Sequence, residues 1–522
     1  MCGISAILFN AQKKEQTMTS MLNAIKHRGD SVPNNSKKDA FDADAILGNV
    51  RLKIVDIPNG KQPFYNENKT VAVTFNGEIY NHKILKKKLE KLGHTFISDC
   101  DTEVLVHLYE QYKEDMLTQE DMELDGMFAF VIFDRVTNKF LMARDRYGIK
   151  PLYYAEADNS IYVSSELKSF AKIKEIDEYK ELLPSHYIND IRIEPKPYYR
   201  QEYEIDNSID LGSAKSAVRK HVINAVKKRV IDTDLPIGMW LSGGIDSSIV
   251  FLIARQYHKD IRPIIIGKEN SPDVSAAILL CNEVGSSYMH IDPTDEEILK
   301  IIPELIESIE TFEPNPIRPS ALTYFLAKET KRLELKVVLC GEGADEIFGG
   351  YGDFLLTQTD DECLKLTQNF VRDLYRTQLL RIDRVGMAFH VEVREPFMDN
   401  QLVNYAVGLK RDYKINRING KILTKYILRE AFKDILPEEI YLRDKQTIMA
   451  GAGVCSVEVE KGIFYENAQS KNKLLLKHYK EYDLKNEEDV YYFNTYKDHY
   501  MKALFNKERA FSAKREINDT VV

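Results

Sequence analysis

The hydrophobic pattern of this chain changes period near residue 213, and that change limits what the chain can fold into. Up to about residue 195, β-rich runs such as TVAVTFNGEIYN, GMFAFVIFD, KFLMARDRYG and SIYVSSEL are bounded by Gly, Asn and Asp. Two helical patterns interrupt them, near 82–93 and 102–113. Strand runs with few helices predict a layered α+β sandwich. Residues 196–212, KPYYRQEYEIDNSIDLG, lose the patterning and read as a linker. From 213 onward helix and strand patterns alternate: AKSAVRKHVINAVKKRV, LPIGMWLSGG, SSIVFLIARQYH, IRPIIIGKE. That alternation predicts an α/β unit with a parallel sheet. Beyond about residue 360 the pattern is mostly helical, with Leu423–Leu436 predicted as a helix that Pro437 stops. The expected domains are therefore 2–195 and 213–522.

Composition narrows the function classes. A length of 522 residues is too much for one core. The net charge of −9 and the absence of a basic stripe argue against a nucleic-acid partner. No run approaches the roughly 18 apolar residues needed to span a bilayer, and the first residues lack a basic leader, so the expectation is a cytoplasmic protein with no membrane partner. The six cysteines (Cys2, Cys100, Cys281, Cys340, Cys363, Cys455) are scattered without a C-x-x-C pair. That pattern fits a reducing compartment and gives no zinc signature.

Two stretches carry chemistry. The first is LSGGIDSS, Leu241 to Ser248, which follows an apolar strand and opens a helix. Gly243 and Gly244 let the backbone curl around a ligand, and free N–H groups at the helix start favour an anion. Ser242, Ser247 and Ser248 add hydroxyls, and Asp246 is placed to hold a magnesium ion bridging phosphate oxygens. The bland alternative is a strand-to-helix turn capped by Asp246. No Walker A pattern G-x-x-x-x-G-K-S/T occurs in the chain. S-G-G-x-D-S after a buried strand resembles the pyrophosphate loop of ATP pyrophosphatases, which split ATP into AMP and pyrophosphate.

The second stretch is the MCGIS start. If Met1 is removed, Cys2 carries a thiol and a free α-amino group together, a strong nucleophile beside a base of ordinary pKa about 7.7–8.0. Downstream come HRG (27–29), RLKIVD (51–56), QPFYN (62–66), FNGEIYNH (75–82), DTE (101–103), DGMFAF (125–130) and RDRYGIKPLYY (144–154). In this order they closely resemble the class II glutamine amidotransferase domain of glutamine-hydrolysing asparagine synthetases, an N-terminal-nucleophile fold. The second half adds SPD (271–273), GEGADEIFGGY (341–351) and VEVREPFMD (391–399), so the resemblance spans nearly the whole chain.

The resemblance implies roles. Cys2 would attack glutamine, Asn76 and the Gly77 N–H would hold the oxyanion, and Arg51, Glu78 and Asp101 would grip the substrate. ATP would meet Leu241, Ser242, Gly243, Gly244, Asp246, Ser247, Ile266, Gly341 and Asp345, with Mg²⁺ on Asp246 and Asp345. Lys445 would neutralise charge developing on the phosphates, Glu342 would manage the proton that ammonia loses, and Arg318 would orient the acceptor acid. Glutamine, ATP and aspartate are then the expected small-molecule partners, and a homodimer is compatible with the resemblance. Taken singly, Arg51 reads as a surface charge, Asn76–Gly77 as a hairpin turn and Asp101 as a helix cap.

The chain departs from the family pattern at four places. Cys340 replaces the usual serine before GEG, Ile448 stands where phenylalanine is common, EPNPIRPS replaces a more hydroxyl-rich segment, and Asp30 replaces the proline after HRG. The first three fall in the half that chooses the acceptor. An amidotransferase acting on another carboxylate, a uronic-acid sugar or a biosynthetic intermediate, therefore stays as the alternative.

Overall fold

The computed structural model describes every residue except 1, 11–13, 31–33, 36–43, 172, 192–193, 234, 455–461, 472–483, 485 and 505–522. Met1 and Cys455 thus lie outside the described residues. The chain divides into two compact units, the first running to Arg200 and the second from Gln201 to Tyr496.

The first unit is built on two antiparallel sheets. One has Cys2–Leu8 at its centre, between Ala45–Arg51 and Ser160–Ser164. The other runs through Val71–Ile79, Gly126–Asp134 and Lys139–Arg144. Their facing sides share one core: Ile4, Ala6 and Leu8 from the first sheet meet Ala129, Val131 and Phe133 from the second. The outer face of the second sheet packs Val73 and Phe75 on helices His82–Lys91 and Glu103–Tyr112. The outer face of the first packs Ile7 and Ile46 on Met18, Met21 and Leu22 of helix Glu15–Ala24. Because both faces of each sheet are covered, the central strands are buried at every position, including the polar Ser5, Thr74, Asn76 and Glu78.

The second unit holds a five-stranded parallel sheet in the order Met289–Ile291, Ile261–Ile266, Ile237–Trp240, Val337–Leu339, Glu392–Arg394. Successive strands step outward from Ile237–Trp240 on one side, and the chain then returns to its other side with Val337–Leu339. The order reverses between these two strands, and open α/β sheets bind ligands at the carboxyl ends of the strands at such a point.

Two expectations change. Residues 196–212 are not wholly unpatterned: Lys196–Pro197 pairs with His186–Tyr187 in the second sheet. The predicted helix Leu423–Leu436 is shorter. Leu423 and Thr424 belong to a hairpin, Ile415–Ile418 with Lys421–Thr424, turning at Asn419–Gly420. Lys425 is left-handed at φ 54° and the helix proper is Tyr426–Ala431. A helix follows Pro437, over Glu438–Tyr441.

Candidate active sites

Each unit contains a lined cavity. In the first, Cys2 begins the central strand and is buried, and its backbone N–H donates to Asn76 Oδ1 at 3.0 Å. That bond orients the Asn76 amide, leaving Nδ2 buried with no hydrogen-bond partner among the described residues. A buried amide donor without a partner costs about 1–3 kcal/mol, so its presence marks a place where an acceptor arrives. Asn76 and Gly77 lie inside strand Val71–Ile79, opposite Ala129 and Phe128, and do not form a hairpin turn. Gly77 is required there by close approach: a Cβ would sit 2.0 Å from the Met127 carbonyl oxygen.

Around Cys2 a cavity of about 20 Å³ is lined by Arg51, Gln62, Gly77, Glu78, Asp101 and Thr102, among others. Arg51 is buried, not a surface charge, and donates to the carbonyls of Ile57 (3.0 Å), Val55 (2.8 Å) and Asp56 (2.9 Å). These carbonyls aim the guanidinium. Asp30 steadies the same backbone: its N–H reaches the Arg51 carbonyl at 3.1 Å, a bond proline could not make, and its Oδ1 accepts from the Lys53 N–H. Asp101 accepts from the Ile79 N–H at 2.9 Å, so it ties helix Glu103–Tyr112 to the strand instead of capping the helix. Gln62, in the QPFYN motif, has a role that its sequence position does not reveal. Its Oε1 takes the Phe75 N–H at 2.7 Å, which turns Nε2 toward Cys2 Sγ, 3.9 Å away.

In the second unit a cavity of about 130 Å³ opens at the switch point, between the loops after Ile237–Trp240 and Val337–Leu339. Ser242, Gly244, Asp246, Ser247, Gly341, Glu342, Asp345 and Lys445 all line it. Gly244 is the residue before helix Ile245–Tyr257, and no side chain among the described residues caps that helix, so its first N–H groups face the loop and Asp246 is not a cap. Ser242 and Ser247 hydroxyls meet at 3.0 Å. Gly243 is left-handed at φ 70°, and a Cβ there would lie 2.5 Å from the Ala277 backbone nitrogen.

Charge dominates this cavity. Lys425 pairs with Asp246 and, at 2.7 Å, with Asp345, and Lys445 pairs with the other Asp345 oxygen. Burial pushes the Asp246 carboxyl up despite Lys425, whereas the two lysines outweigh burial at Asp345 and hold it down at about 2. Lys445 is raised by Asp345 and Asp246 against its own desolvation, so it stays a cation. Asp246 Oδ1 has no hydrogen-bond partner among the described residues. An orphaned buried carboxylate oxygen beside a second carboxylate fits a hard divalent cation, so the donor set accepts Mg²⁺. On the adjoining wall Arg381 donates to Glu342 at 2.6 Å and to Thr323 at 2.6 Å.

Comparison with known proteins covers both halves. A glutamine amidotransferase domain family matches residues 1–221, and an asparagine synthase family matches 217–362 and 355–467. The chain is 33% identical over 511 residues to an asparagine synthetase (glutamine-hydrolyzing) of Sandersonia aurantiaca, covering 94% of this chain and 95% of that one. It is 34% identical over 471 residues to asparagine synthetase (glutamine-hydrolyzing) 2 of Arabidopsis thaliana, covering 87% and 79%. The chain belongs to the glutamine-hydrolysing asparagine synthetases.

Three of the expected ATP contacts fall outside the cavity lining. Leu241 and Ile266 are buried at the strand ends and Gly243 behind the loop, and none of the three lines the cavity. Arg318 does not line it either; its guanidinium grips both oxygens of Glu488, a buried carboxylate on helix Glu487–Leu504. Arg381, Arg429 and Arg443 are the guanidinium groups on the cavity wall among the described residues, and Cys340 and Ile448, two of the departures from the family pattern, line it as well. Sequence reasoning missed Lys425 and Arg381, each tens of residues from any motif it contacts. Asp273, in the SPD motif, forms an ion pair with Arg443, 170 residues away in the chain. No helix among the described residues is long and apolar enough to cross a membrane.

Proposed function

We propose that this chain makes asparagine from aspartate, ATP and glutamine, releasing AMP, pyrophosphate and glutamate, as a carbon–nitrogen ligase in the cytoplasm. Residues 2–195 are the glutaminase, 213–522 the synthetase and 196–212 the link between them. The observation that carries the reading is the unpartnered Asn76 amide donor beside Cys2, matched in the other unit by two carboxylates and two lysines at the switch point.

In the first unit, with Met1 removed, the Cys2 amine takes the thiol proton while Asn76 Oδ1 keeps that amine oriented. The thiolate adds to the side-chain amide carbon of glutamine, and the oxyanion meets Asn76 Nδ2 and the Gly77 N–H. Such donors act most strongly where water is excluded. The Cys2 ammonium returns its proton to the nitrogen, ammonia leaves as the C–N bond breaks, and water then hydrolyses the thioester to glutamate and the Cys2 thiol. Arg51 binds the substrate carboxylate, and Glu78 and Asp101 its ammonium group.

In the second unit the aspartate side-chain carboxylate attacks the α-phosphorus of ATP and pyrophosphate departs. Ser242, Ser247 and the helix N–H groups hold the leaving phosphates, and Lys445 opposes their growing charge. Asp246 and Asp345 would hold Mg²⁺, which, when bound, neutralises charge on the leaving group. Ammonia adds to the acyl-adenylate, Glu342 accepts the surplus proton and AMP leaves. Arg381, fixed by Thr323, keeps Glu342 in place. A homodimer is compatible with this scheme.

Purified enzyme given glutamine and ATP should release pyrophosphate when aspartate is added. If aspartate gives no stimulation and another carboxylate does, the rival amidotransferase of the same architecture is correct.

A further inference from the structure

We propose that the first unit carries a zinc-type divalent metal site, built by Glu67, His94, His107 and Glu110 and separate from the Cys2 pocket. The donor atoms of these four side chains lie within 4.8 Å of one another. They come from three segments: the turn after Phe64–Tyr65, the loop after His82–Lys91, and one face of helix Glu103–Tyr112, where His107 and Glu110 are three residues apart.

The imidazoles point their nitrogens in a way that a metal explains. His107 is 1% exposed, and neither of its ring nitrogens has a hydrogen-bond partner among the described residues. Its Nδ1 faces Glu67 Oε1 at 3.7 Å and Glu110 Oε2 at 3.9 Å, while Nε2 faces Glu103 Oε1 at 3.7 Å. His94 repeats the arrangement. Nδ1 faces Glu110 Oε2 at 3.7 Å and Glu67 Oε1 at 4.0 Å, and Nε2 meets Gln111 Oε1 at 3.3 Å. The outward nitrogen of His94 has a hydrogen-bond partner in Gln111, that of His107 faces Glu103 beyond hydrogen-bond distance, and both Nδ1 atoms face the same two carboxylates. Metal-binding histidines are oriented in this manner, the second nitrogen donating to a carboxylate or an amide oxygen.

The carboxylates are oriented as well. Asn66 Nδ2 holds Glu110 Oε1 at 3.1 Å, and Glu110 Oε2 is left buried without a hydrogen-bond partner among the described residues. The Thr95 N–H holds Glu67 Oε1 at 2.9 Å. Glu103, behind His107, takes the Ile97 and Ser98 N–H groups at 2.8 Å each. Two nitrogens and two oxygens suit Zn²⁺, whose tetrahedral shell spaces its donors about 3.3–3.5 Å apart. The nearest pairs here need to close by only a few tenths of an ångström. Glu67 is about two-fifths exposed, which gives the ion a way in.

A bound ion would clamp the turn and the 94–98 loop onto the helix that starts immediately after Asp101 and Thr102. Those two residues line the glutamine pocket. The ion would therefore act as a structural clip on the wall of that pocket, taking no part in the reaction.

The test uses full-length enzyme stripped with EDTA and dialysed. It should retain one equivalent of Co²⁺ through gel filtration, with tetrahedral d–d absorption and no thiolate charge-transfer band, and Zn²⁺ should displace it. The double variant His94→Gln, His107→Gln should lose the signal. Gln111→Ala should weaken Zn²⁺ binding about 10- to 100-fold, the usual effect of removing an outer partner. If the double variant does not fold, Glu67→Gln at the exposed rim should abolish the tetrahedral signature. The proposal is overturned if no equivalent is retained, if a thiolate band appears, or if the signature survives these substitutions.

Discussion

The two cavities stabilise charge by different means. Beside Cys2 the side chains in direct reach of it are neutral, the Asn76 amide and Gln62, and strand Val71–Ile79 fixes both, while Arg51, Glu78 and Asp101 line the same cavity. At the switch point the walls are ions: Asp246, Asp345, Lys425 and Lys445 compensate one another before any ligand arrives. The reactions differ in the same sense. A tetrahedral oxyanion carries one transient charge, which preorganised dipoles hold without rearrangement. A leaving pyrophosphate carries several charges, and on the proposed reading the lysines exchange carboxylate partners for phosphate. On the proposed reading the glutamine pocket is thus preorganised, and the ATP pocket is completed by its substrate.

The sharpest way to break this comparison is a reciprocal pair. Cys2→Ala should abolish glutamine use and leave synthesis from added ammonium intact; Asp246→Asn should stop pyrophosphate release and leave glutaminase turnover. Loss of ammonium-driven synthesis in Cys2→Ala would show that the two sites are one functional unit. A smaller effect isolates a single neutral donor. Asn76→Ala should lower glutaminase kcat about 100- to 1000-fold, or 2.7–4 kcal/mol of barrier, with ammonium-driven synthesis unchanged. A loss under tenfold would mean that Nδ2 does not meet the oxyanion.

The same contrast explains what was legible in the sequence. Strand Val71–Ile79, its Asn76–Gly77 pair and the Ser242–Ser248 loop are contiguous, so residue order alone placed them on a strand and a strand-to-helix turn. Lys425 was hidden because it lies 179 residues from Asp246. It sat inside a stretch whose apolar spacing reads as a helix, Leu423, Ile427, Leu428, Ala431 and Leu436. Two facts override that spacing. Asn419–Gly420 is a strong hairpin signal, and it draws Leu423 and Thr424 into a strand. Lys425 then adopts a left-handed backbone with its ammonium between two buried carboxylates. Arg318 misled for the opposite reason. An arginine near a motif says nothing about its partner, and Glu488 lies 170 residues away. The Glu67, His94, His107 and Glu110 cluster was equally unreadable, since only His107 and Glu110 are neighbours on one helix.

The last contrast concerns pH. Glu346 is buried next to the ion network, and burial first, then Asp345, pushes its carboxyl up to about 7, although the Tyr351 hydroxyl donates to it at 2.6 Å. A carboxyl whose folded pKa exceeds its unfolded value binds its proton more tightly in the native state. Its contribution is complete below the unfolded value of about 4.5 and is lost as pH rises through 7, at no more than about 1.4 kcal/mol per pH unit. Asp345 has the opposite sign, but its depressed pKa places its loss near pH 2, outside this window. Hydrogen exchange, corrected for intrinsic rates, can follow the two units separately. Protection of Val337–Leu339 should fall between about pH 5 and about pH 7, and Glu346→Gln should flatten that fall. Protection of Val71–Ile79 should be indifferent to the substitution. An equal slope in wild type and variant at Val337–Leu339 would mean that Glu346 is ionised throughout, and the charge balance at the switch point would then include a third carboxylate.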